Sequence, residues 1–195
     1  MTEPQDERKI LHPDARQLRV LAHPLRSRLL GALRFHGPAT ATQLAARLGT
    51  NSGATSYHLR QLADAGLVED DAVLSSGRDR VWRAAHDATS WISTDFDDDA
   101  DARAADDWLL RHQSRTMAGW VGDWLDARAE WSADWRRAAD QSDYHLDLTA
   151  EQLTTLTGEL HAVLARYVAT QDPPAPGVER VTVLLQAFPS PERRV

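Results

Sequence analysis

The stretch TATQLAARLGTNSGATSYHLRQLADAG, residues 40–66, constrains the fold of this chain more than any other. It has the pattern of two short helices joined by a tight turn. Thr40 opens a capping box for the first helix, and Gly49 ends that helix. Apolar spacing resumes at Leu59 and Leu62, so the second helix buries one side and presents the other to solvent. This pattern predicts a helix-turn-helix that reads DNA.

The outward side of the second helix carries small or hydrogen-bonding groups near the helix N-terminus. On a helical wheel Thr55 falls with the apolar residues, whereas the outward positions are Ser52, Gly53, Ser56, Tyr57 and Arg60. Such a surface lets the backbone approach phosphates with help from the helix dipole, and Ser56 and Tyr57 can reach base edges in a major groove.

Two of these side chains have a second interpretation. Tyr57 either reads bases or packs against the segment that follows the helix. His58 lies between the buried and the outward side, so it is either a partly buried helix histidine with one hydrogen bond or a contact to the DNA backbone. Both alternatives stay open at the level of sequence.

The charge distribution favours a polyanion-binding surface in the same region. Between Ala15 and Ala63 there are no acidic residues and seven arginines, namely Arg16, Arg19, Arg26, Arg28, Arg34, Arg47 and Arg60. Residues 1–92 carry 12 Lys and Arg against 10 Asp and Glu, whereas residues 93–195 carry 10 against 19. The basic character therefore lies on the amino-terminal half, as DNA binding requires.

A short hairpin is predicted directly after the second helix. Gly66 closes the helix, a strand begins at Leu67, the chain turns at about Gly77, and a second strand returns through Arg80. A hairpin in this position is a wing. Arg78 and Arg80 at its tip are suited to lie along a DNA backbone or to enter a minor groove.

The segments LAHPLRSRLLGALRFHGPATATQLAARLGTNSGATSYHLRQLADAGLV and GRDRVWRA resemble the winged helix-turn-helix of the ArsR/SmtB family of bacterial transcription regulators. The resemblance covers about residues 18–85. It implies a homodimeric repressor or activator that binds palindromic operator DNA and responds to an effector. By position, Ser56, Tyr57 and His58 fall where the family's reader has its Ser-x-His, and Gly77, Arg78 and Arg80 fall in its wing.

Taken together, the sequence predicts double-stranded DNA as the partner. The predicted DNA-contacting residues are Thr42, Ser52, Gly53, Ser56, Tyr57, His58, Arg60, Gly77, Arg78 and Arg80. The fold class predicted is mainly α with a small β wing. Residues 1–92 are expected to form the winged helix-turn-helix domain, with residues 1–12 as a loosely docked arm, and residues 93–195 a helical dimerisation and effector region that ends in a short strand.

Composition excludes several other classes. The chain has no cysteine, which removes disulfides, iron–sulfur clusters, thiol catalysis and the thiolate metal site that many ArsR-like proteins carry in the first reading helix. No run of about 18 uncharged apolar residues and no secretory signal is present, so we expect a cytoplasmic protein without a membrane span. No phosphate loop or catalytic constellation is recognisable, so we expect neither an enzyme nor a bound cofactor.

The acidic run TDFDDDADARAADD, residues 94–107, resembles a calcium loop only in part. The sixth position of that loop requires Gly and is Ala100 here, and the last ligand is Asp106 instead of Glu. We interpret the run as a solvated linker whose carboxylates favour the start of a helix. The helix after the wing has His112 but no second histidine nearby, so a paired-histidine metal site is not expected.

Tryptophans mark the helical region that follows. Residues 100–139 contain no proline and are predicted to form one long helix, or two that break near Gly119 or Gly122. The tryptophans that matter here are Trp108, Trp120, Trp124, Trp131 and Trp135, and the last four share one helical face. They predict either a dimer seam and core face or a pocket for an aromatic or apolar effector.

The carboxyl end carries one further helix signal and one strand signal. Thr149 opens a second capping box for a helix to about Tyr167, with an apolar side that includes Leu160. The alternating run from Val181 predicts a strand that pairs with residues 144–148. For the whole chain, the alternative to a DNA-binding regulator is a winged-helix module that binds proteins and has lost specific DNA binding.

Overall fold

The computed structural model describes residues 9–75, 80–170 and 175–190. The helices are α1 (Ala15–Leu21), α2 (Pro24–His36), α3 (Ala41–Leu48), α4 (Ser52–Asp64), α5 (Ala100–Ala127), α6 (Ala133–Ala138) and α7 (Ala150–Ala169), with 3-10 turns at Ser93–Phe96 and Arg128–Glu130. The strands are β1 (Ile10–Leu11), β2 (Ala39–Thr40), β3 (Val68–Asp70), β4 (Val81–Ala84) and β5 (Ala88–Thr89). The chain divides into two compact units between Ala118 and Gly119. The prediction of a mainly α fold with a small wing is confirmed.

The helix-turn-helix forms where local signals predict it. Thr40 and Gln43 make the capping box of α3, with the Thr40 hydroxyl accepting the Gln43 N–H at 3.2 Å. Gly49 ends α3 in the left-handed conformation at φ 63°, which glycine adopts without steric cost. Asn51 then caps α4, and the turn between the two helices spans only three residues, 49–51.

The wing is part of a three-stranded antiparallel sheet in the order β2-β4-β3. Asp70 pairs with Trp82 and Val68 with Ala84, so β3 and β4 form the predicted hairpin. The third strand, β2, was not predicted, because two residues ahead of a helix cap carry no periodic signal. Ala39 of β2 pairs with Trp82 from the other side and links the wing to the start of α3.

The prediction of a loosely docked amino-terminal arm is wrong for residues 9–12. Ile10 and Leu11 form β1, which pairs in parallel with β5. The Lys9 N–H donates to Asp87 Oδ2 at 2.8 Å, and Leu11 is buried. The pairing joins segments almost 80 residues apart, so nothing local in the polar amino-terminal sequence announces it.

The hydrophobic core of the first unit includes the beginning of α5. Leucines of α1 to α4 form its centre, and Phe96, Ala102, Ala105 and Leu109 are buried in the same cluster. The compact unit therefore extends beyond the domain boundary expected at residue 92, because the small residues of α5 allow close helix packing. Asp99 accepts the N–H groups of Asp101 and Ala102, so the acidic run starts a helix as expected. The run is not a solvated linker, because Phe96, Ala102 and Asp106 within it are buried.

Helix α5 does not break at its glycines. It runs through Gly119 and Gly122 to Ala127, and the interruption follows at residues 128–132. There the Ser132 hydroxyl accepts the Trp135 N–H at 3.4 Å and starts α6. A glycine inside a helix costs only about 1 kcal/mol relative to alanine, so a new N-cap decides where the helix ends.

The second unit has the predicted capping box but lacks a core of its own. Thr149 and Gln152 cap α7 reciprocally. Among the described residues after Leu109 none is buried, and Leu160 and Val163 on the apolar side of α7 are each 38% exposed. The apolar side of α7 therefore forms without being covered.

The predicted carboxyl-terminal strand is wrong. Residues 178–190 and 144–148 contain no strand or bridge. Val181 and Val183 are 64% and 61% exposed. Strand propensity expresses how well a side chain fits a half-buried pleated surface, and this unit offers no such surface. Within the described residues, no helix combines the length and apolar character needed to cross a membrane.

Candidate nucleic-acid interface

Helix α4 is oriented by its buried side. Thr55, Leu59 and Leu62 have 0% exposure. The Thr55 hydroxyl donates to the Asn51 carbonyl oxygen at 2.9 Å, so this buried polar group is satisfied. Asn51 Oδ1 in turn accepts the Ala54 N–H at 2.7 Å. The buried side thus fixes which residues of α4 point outward.

The carboxyl-terminal end of α4 is held by side chains from α1. Arg16 Nη2 donates to the Asp64 carbonyl oxygen at 3.1 Å, and Gln17 Nε2 donates to the Ala65 carbonyl oxygen at 3.0 Å. The last carbonyls of a helix have no partner within the helix itself, so these bonds satisfy groups that α4 leaves open. Helix α1 therefore helps to position α4.

The outward surface contains most of the predicted DNA contacts. The predicted residues that are exposed on α3 and α4 are Thr42, Ser52, Gly53, Tyr57 and Arg60. Ser56 and His58 are partly buried. Tyr57 is 52% exposed, and its ring meets the edge of the His58 ring at 5.1 Å between centroids. The hydroxyl-bearing and small residues thus share one accessible face at the start of α4.

Most of the arginines in the basic stretch serve the fold. Arg28 Nη2 donates to the Leu48 carbonyl oxygen at the end of α3, at 2.8 Å, and Arg26 Nε donates to the Val20 carbonyl oxygen at the end of α1. Arg19 pairs with Asp99 at 2.8 Å. Sequence reasoning missed these roles, because the partner groups lie on other segments of the chain.

Arg34 is also engaged, donating to the His86 carbonyl oxygen and to Thr89 Oγ1, each at 2.9 Å. Arg47 on α3 and Arg60 on α4 differ from the others. Both are exposed, and within the residues that the structure describes neither forms a hydrogen bond or an ion pair. These two cations are therefore available to an external anion without the loss of an internal bond.

A histidine pair joins α2 to α4. His23 is the N-cap of α2, and its Nδ1 accepts the Leu25 N–H at 3.2 Å. The His23 and His58 rings lie 4.4 Å apart between centroids and are tilted by 38°. Burial lowers the pKa of both imidazoles, and the positive charge of Arg26 lowers each pKa further. Both rings are therefore neutral near pH 7. His58 is partly buried, as its structural interpretation expected, but among the described residues the expected hydrogen bond is not found and its Nδ1 has no partner.

The wing brings one of its predicted cations into an internal pair. Arg80 Nε lies 2.8 Å from Asp70 Oδ2 across the hairpin, and the Arg80 guanidinium lies 5.2 Å from the centroid of the Trp82 ring. Arg80 remains more than half exposed. Gly77 and Arg78 fall outside the described residues.

The tryptophans do not form one continuous face. Trp131 meets Trp124 at 6.1 Å and Trp135 at 6.0 Å between ring centroids, in tilted and edge-on arrangements that aromatic pairs favour. Trp120 is 48% exposed on α5. Trp108 belongs to the first unit, where it stacks on His112 at 4.7 Å. The predicted single stripe is divided because α5 ends before Trp131.

Asp106, which lies in the acidic run considered for a metal site, binds a side chain of the protein itself. Asp106 is 5% exposed, and its Oδ1 accepts the Trp91 indole N–H at 2.5 Å. In the part of the chain that the structure describes, no three His, Cys, Asp or Glu side chains are grouped so that they could hold a metal ion. Asp106 instead ties the segment after the wing to α5.

Comparison with known proteins supports the helix-turn-helix. A family profile described as "Helix-turn-helix domain" matches residues 21–71. The chain is 30% identical to a solved fragment, residues 1–100, of a possible transcriptional regulatory protein from Mycobacterium bovis; the match covers 36% of this chain and 72% of that chain, with a TM-score of 0.33. It is 29% identical to a possible transcriptional regulator for arsenical resistance, with 60% and 96% covered and a TM-score of 0.31.

A solution structure from Mycobacterium bovis is also similar. It is the homodimeric winged helix-turn-helix DNA-binding domain of a possible ArsR-family regulator, 23% identical, with 58% of this chain and 82% of that chain covered and a TM-score of 0.33. No curated protein matches the chain. The predicted resemblance to ArsR-family regulators is confirmed for the amino-terminal region and covers only part of the chain.

Proposed function

We propose that this protein is a sequence-specific transcriptional regulator of the ArsR type. The proposal starts from the match of residues 21–71 to the helix-turn-helix domain family. In this proposal it acts in the cytoplasm as a homodimer on palindromic operator DNA and has no catalytic role. The observation that carries the proposal is the outward face of α4, where Tyr57 and Arg60 stand exposed on a helix whose opposite side is fully buried.

Helix α4 is proposed to enter the major groove, and we call it the reading helix below. Tyr57 supplies a hydroxyl donor and acceptor for base edges on a ring that is half exposed. Ser52 and Gly53 lie in the first turn, where the free backbone N–H groups and the helix dipole favour a phosphate. Arg47 and Arg60 contribute phosphate contacts, since their charges are not engaged elsewhere in the described chain.

The proposal of a homodimer rests on the second unit. Its described residues include none that is buried, although α7 alone carries Leu160, Val163 and Val168 at 38–42% exposure. A contiguous apolar helix face that a single copy leaves uncovered is the kind of surface that a protein interface covers. We propose that a second copy of the chain covers it. A dimer that binds palindromic DNA presents its two reading helices about one DNA turn apart, roughly 34 Å.

An aromatic or apolar effector is the second part of the proposal. The cluster of Trp124, Trp131 and Trp135 offers ring faces of the type that line small-molecule sites. A ligand that binds one dimer geometry better than another by about 3 kcal/mol would change DNA affinity by roughly a hundredfold. Such a ligand is expected to lower the affinity for operator DNA and to quench tryptophan fluorescence. The quenching should be lost in a Trp131→Leu variant.

The central experiment is a fluorescence-anisotropy titration of the full chain against its own upstream intergenic DNA and a scrambled duplex of equal length, at several salt concentrations. We expect discrimination between the two duplexes that persists as salt rises. Arg60→Ala should weaken binding to both duplexes and lower the salt dependence by about one ion. Arg136→Ala, which removes an exposed arginine from α6, is the matched control for the change in charge.

Equal and weak binding to both duplexes that vanishes at physiological salt would mean charge attraction alone. That result would contradict the proposal and favour a winged-helix module that binds proteins. Sedimentation analysis of the full chain tests the dimer separately, and a monomer at micromolar concentration would exclude it.

A further inference from the structure

The rings of His23, at the start of α2, and His58, on the reading helix, are in contact. His58 Nδ1 is buried and has no hydrogen-bond partner among the described residues. The centroid of the His23 ring lies 4.4 Å from that of the His58 ring, and the centroid of the Tyr57 ring lies 5.1 Å from it in an edge-on arrangement. His58 is thus held by ring contacts, and it stands next to the residue that we assign to base reading.

The bonding of His23 determines its protonation state. Its Nδ1 accepts the Leu25 N–H, so this nitrogen carries no proton, and the imidazole is neutral with its proton on Nε2. Protonation at Nδ1 would remove the acceptor that caps α2. The N-cap bond and the neutral state of the ring are therefore linked.

The charged surroundings act in the same direction. From α2, the Arg26 guanidinium acts on both imidazoles, and from α4 the Tyr57 phenol interacts with Arg26. His23 also contributes to the lowered pKa of His58. A proton on either ring would place a second cation against Arg26 in a partly buried site, which is unfavourable.

We propose that neutral His23 is a positioning residue for the reading helix, which it supports through its ring contact with His58. This inference rests on the proposed DNA-binding function and deepens it. Acidification adds a charge between α2 and α4 and breaks the cap of α2, so that Tyr57 loses the backing that sets its direction. Operator recognition is consequently coupled to pH through the fold, without any ligand.

The sign of the effect follows from the direction of the pKa shifts. Both imidazoles have a pKa below the ordinary value of 6.5, so they are neutral above that pH and take up protons only in more acidic solution. Operator discrimination should be constant above 6.5 and should fall below it, approaching a tenfold change per pH unit once the solution is more acidic than the pKa. General charge attraction strengthens binding to both duplexes alike in acid, so by itself it leaves the ratio of the two affinities unchanged.

The test measures the ratio of operator to scrambled-duplex affinity between about pH 7.5 and about pH 5.5 for wild type, His23→Asn and His58→Gln. Asn retains an N-cap acceptor and does not titrate. We expect a ratio that falls in acid for wild type. His23→Asn keeps the cap but loses the ring contact with His58, so its ratio should be lower than that of wild type at neutral pH. Its ratio should also fall less in acid, because only His58 remains to take up a proton. His12→Asn, at an exposed histidine, is the control and should retain the wild-type profile.

His58→Gln removes the second imidazole and should likewise reduce the fall of the ratio in acid. Circular dichroism at each pH shows whether the helix content of each variant matches that of wild type. If wild type discriminates at neutral pH but wild type and His23→Asn have the same pH profile, the inference is overturned and the proposed function stands. If neither wild type nor any variant discriminates between operator and scrambled DNA at any pH, both the proposed function and this inference are overturned.

Discussion

Asp70 holds Arg80 across the wing, with Asp70 Oδ2 at 2.8 Å from Arg80 Nε. The same carboxylate accepts the Ser75 hydroxyl at 2.6 Å through its other oxygen. A DNA phosphate that approaches Arg80 must therefore compete with a carboxylate that the wing itself supplies. Both side chains are exposed, so the internal pair is weak enough to exchange.

Asp70→Asn is expected to strengthen DNA binding, because the amide releases Arg80 while its oxygen can still accept from Ser75. The slope of log affinity against log salt should steepen by about 0.9 if Arg80 then contacts one further phosphate. Anisotropy titrations at several salt concentrations measure both quantities. Glu69→Gln, which releases Arg83 from a similar pair at 2.9 Å, makes the same change in charge on the opposite face of the hairpin and should have a smaller effect.

Tyr57→Phe and Arg60→Ala should separate base reading from phosphate binding. Loss of the Tyr57 hydroxyl should reduce operator discrimination by about 1–3 kcal/mol while leaving affinity for scrambled DNA nearly unchanged. Arg60→Ala should reduce both affinities alike. Equal effects of the two variants on both duplexes would argue against base reading by Tyr57.

Leu59→Ala should destabilise the first unit by about 2–5 kcal/mol, because the Leu59 side chain is fully buried on the side of the reading helix that packs against the core. Urea denaturation followed by circular dichroism gives the free energy of unfolding. Val73→Ala, at a residue 92% exposed, should change it by less than about 0.5 kcal/mol. A loss at Leu59 no larger than that at Val73 would contradict the packing described.

Trp91→Phe should cost about 1–3 kcal/mol of stability, because it leaves the buried Asp106 carboxylate without the indole donor. Replacing Asp106 by Asn in the Trp91→Phe background should restore part of this loss, since a neutral amide is less costly to leave unpaired. Trp135→Phe is the matched control in the same urea-denaturation measurement, and a loss there as large as at Trp91 would argue against the hydrogen bond as the cause.

Stability should fall as the solution becomes acidic. The pKa values of His23, His58 and His112 in the folded chain are lowered from 6.5, in each case first by burial. The unfolded chain then binds more protons below that pH, so the free energy of unfolding is constant above about 6.5 and decreases below it. Urea denaturation at several pH values measures this, and a His23/His58/His112 triple Asn variant should show a smaller decrease than wild type. A decrease of wild-type size in the triple variant would assign the acid sensitivity to other groups.

Much of the helical structure could be predicted from short-range signals in the sequence. The capping boxes at Thr40 and Thr149, the stop at Gly49 and the spacing of Leu59 and Leu62 act within a few residues of one another, so each could be recognised in sequence and each forms as expected. The outward orientation of Tyr57 follows from the same spacing. The wing hairpin is equally local, because only residues 71–80 separate its two strands in the sequence.

Contacts between distant segments could not be predicted. The β1–β5 pair and the bonds from Arg16 to Asp64 and from Arg28 to Leu48 join residues that no periodicity relates. The expected strand at residues 181–185 failed for the converse reason, since its local propensity met no neighbouring sheet edge. The tryptophan stripe was divided by an N-cap at Ser132 that competes with continuation of the helix.

The sequence by itself determined the helix-turn-helix, its buried side and its wing, because caps, glycine stops and apolar spacing are short-range. Only the tertiary structure decided which cations remain free for DNA. Arg16, Arg26 and Arg28 are bound to helix-end carbonyls, whereas Arg47 and Arg60 are not engaged within the described chain. The physical reason is that a guanidinium reaches whichever unsatisfied carbonyl the fold brings near, and that neighbour is defined only after the helices have packed.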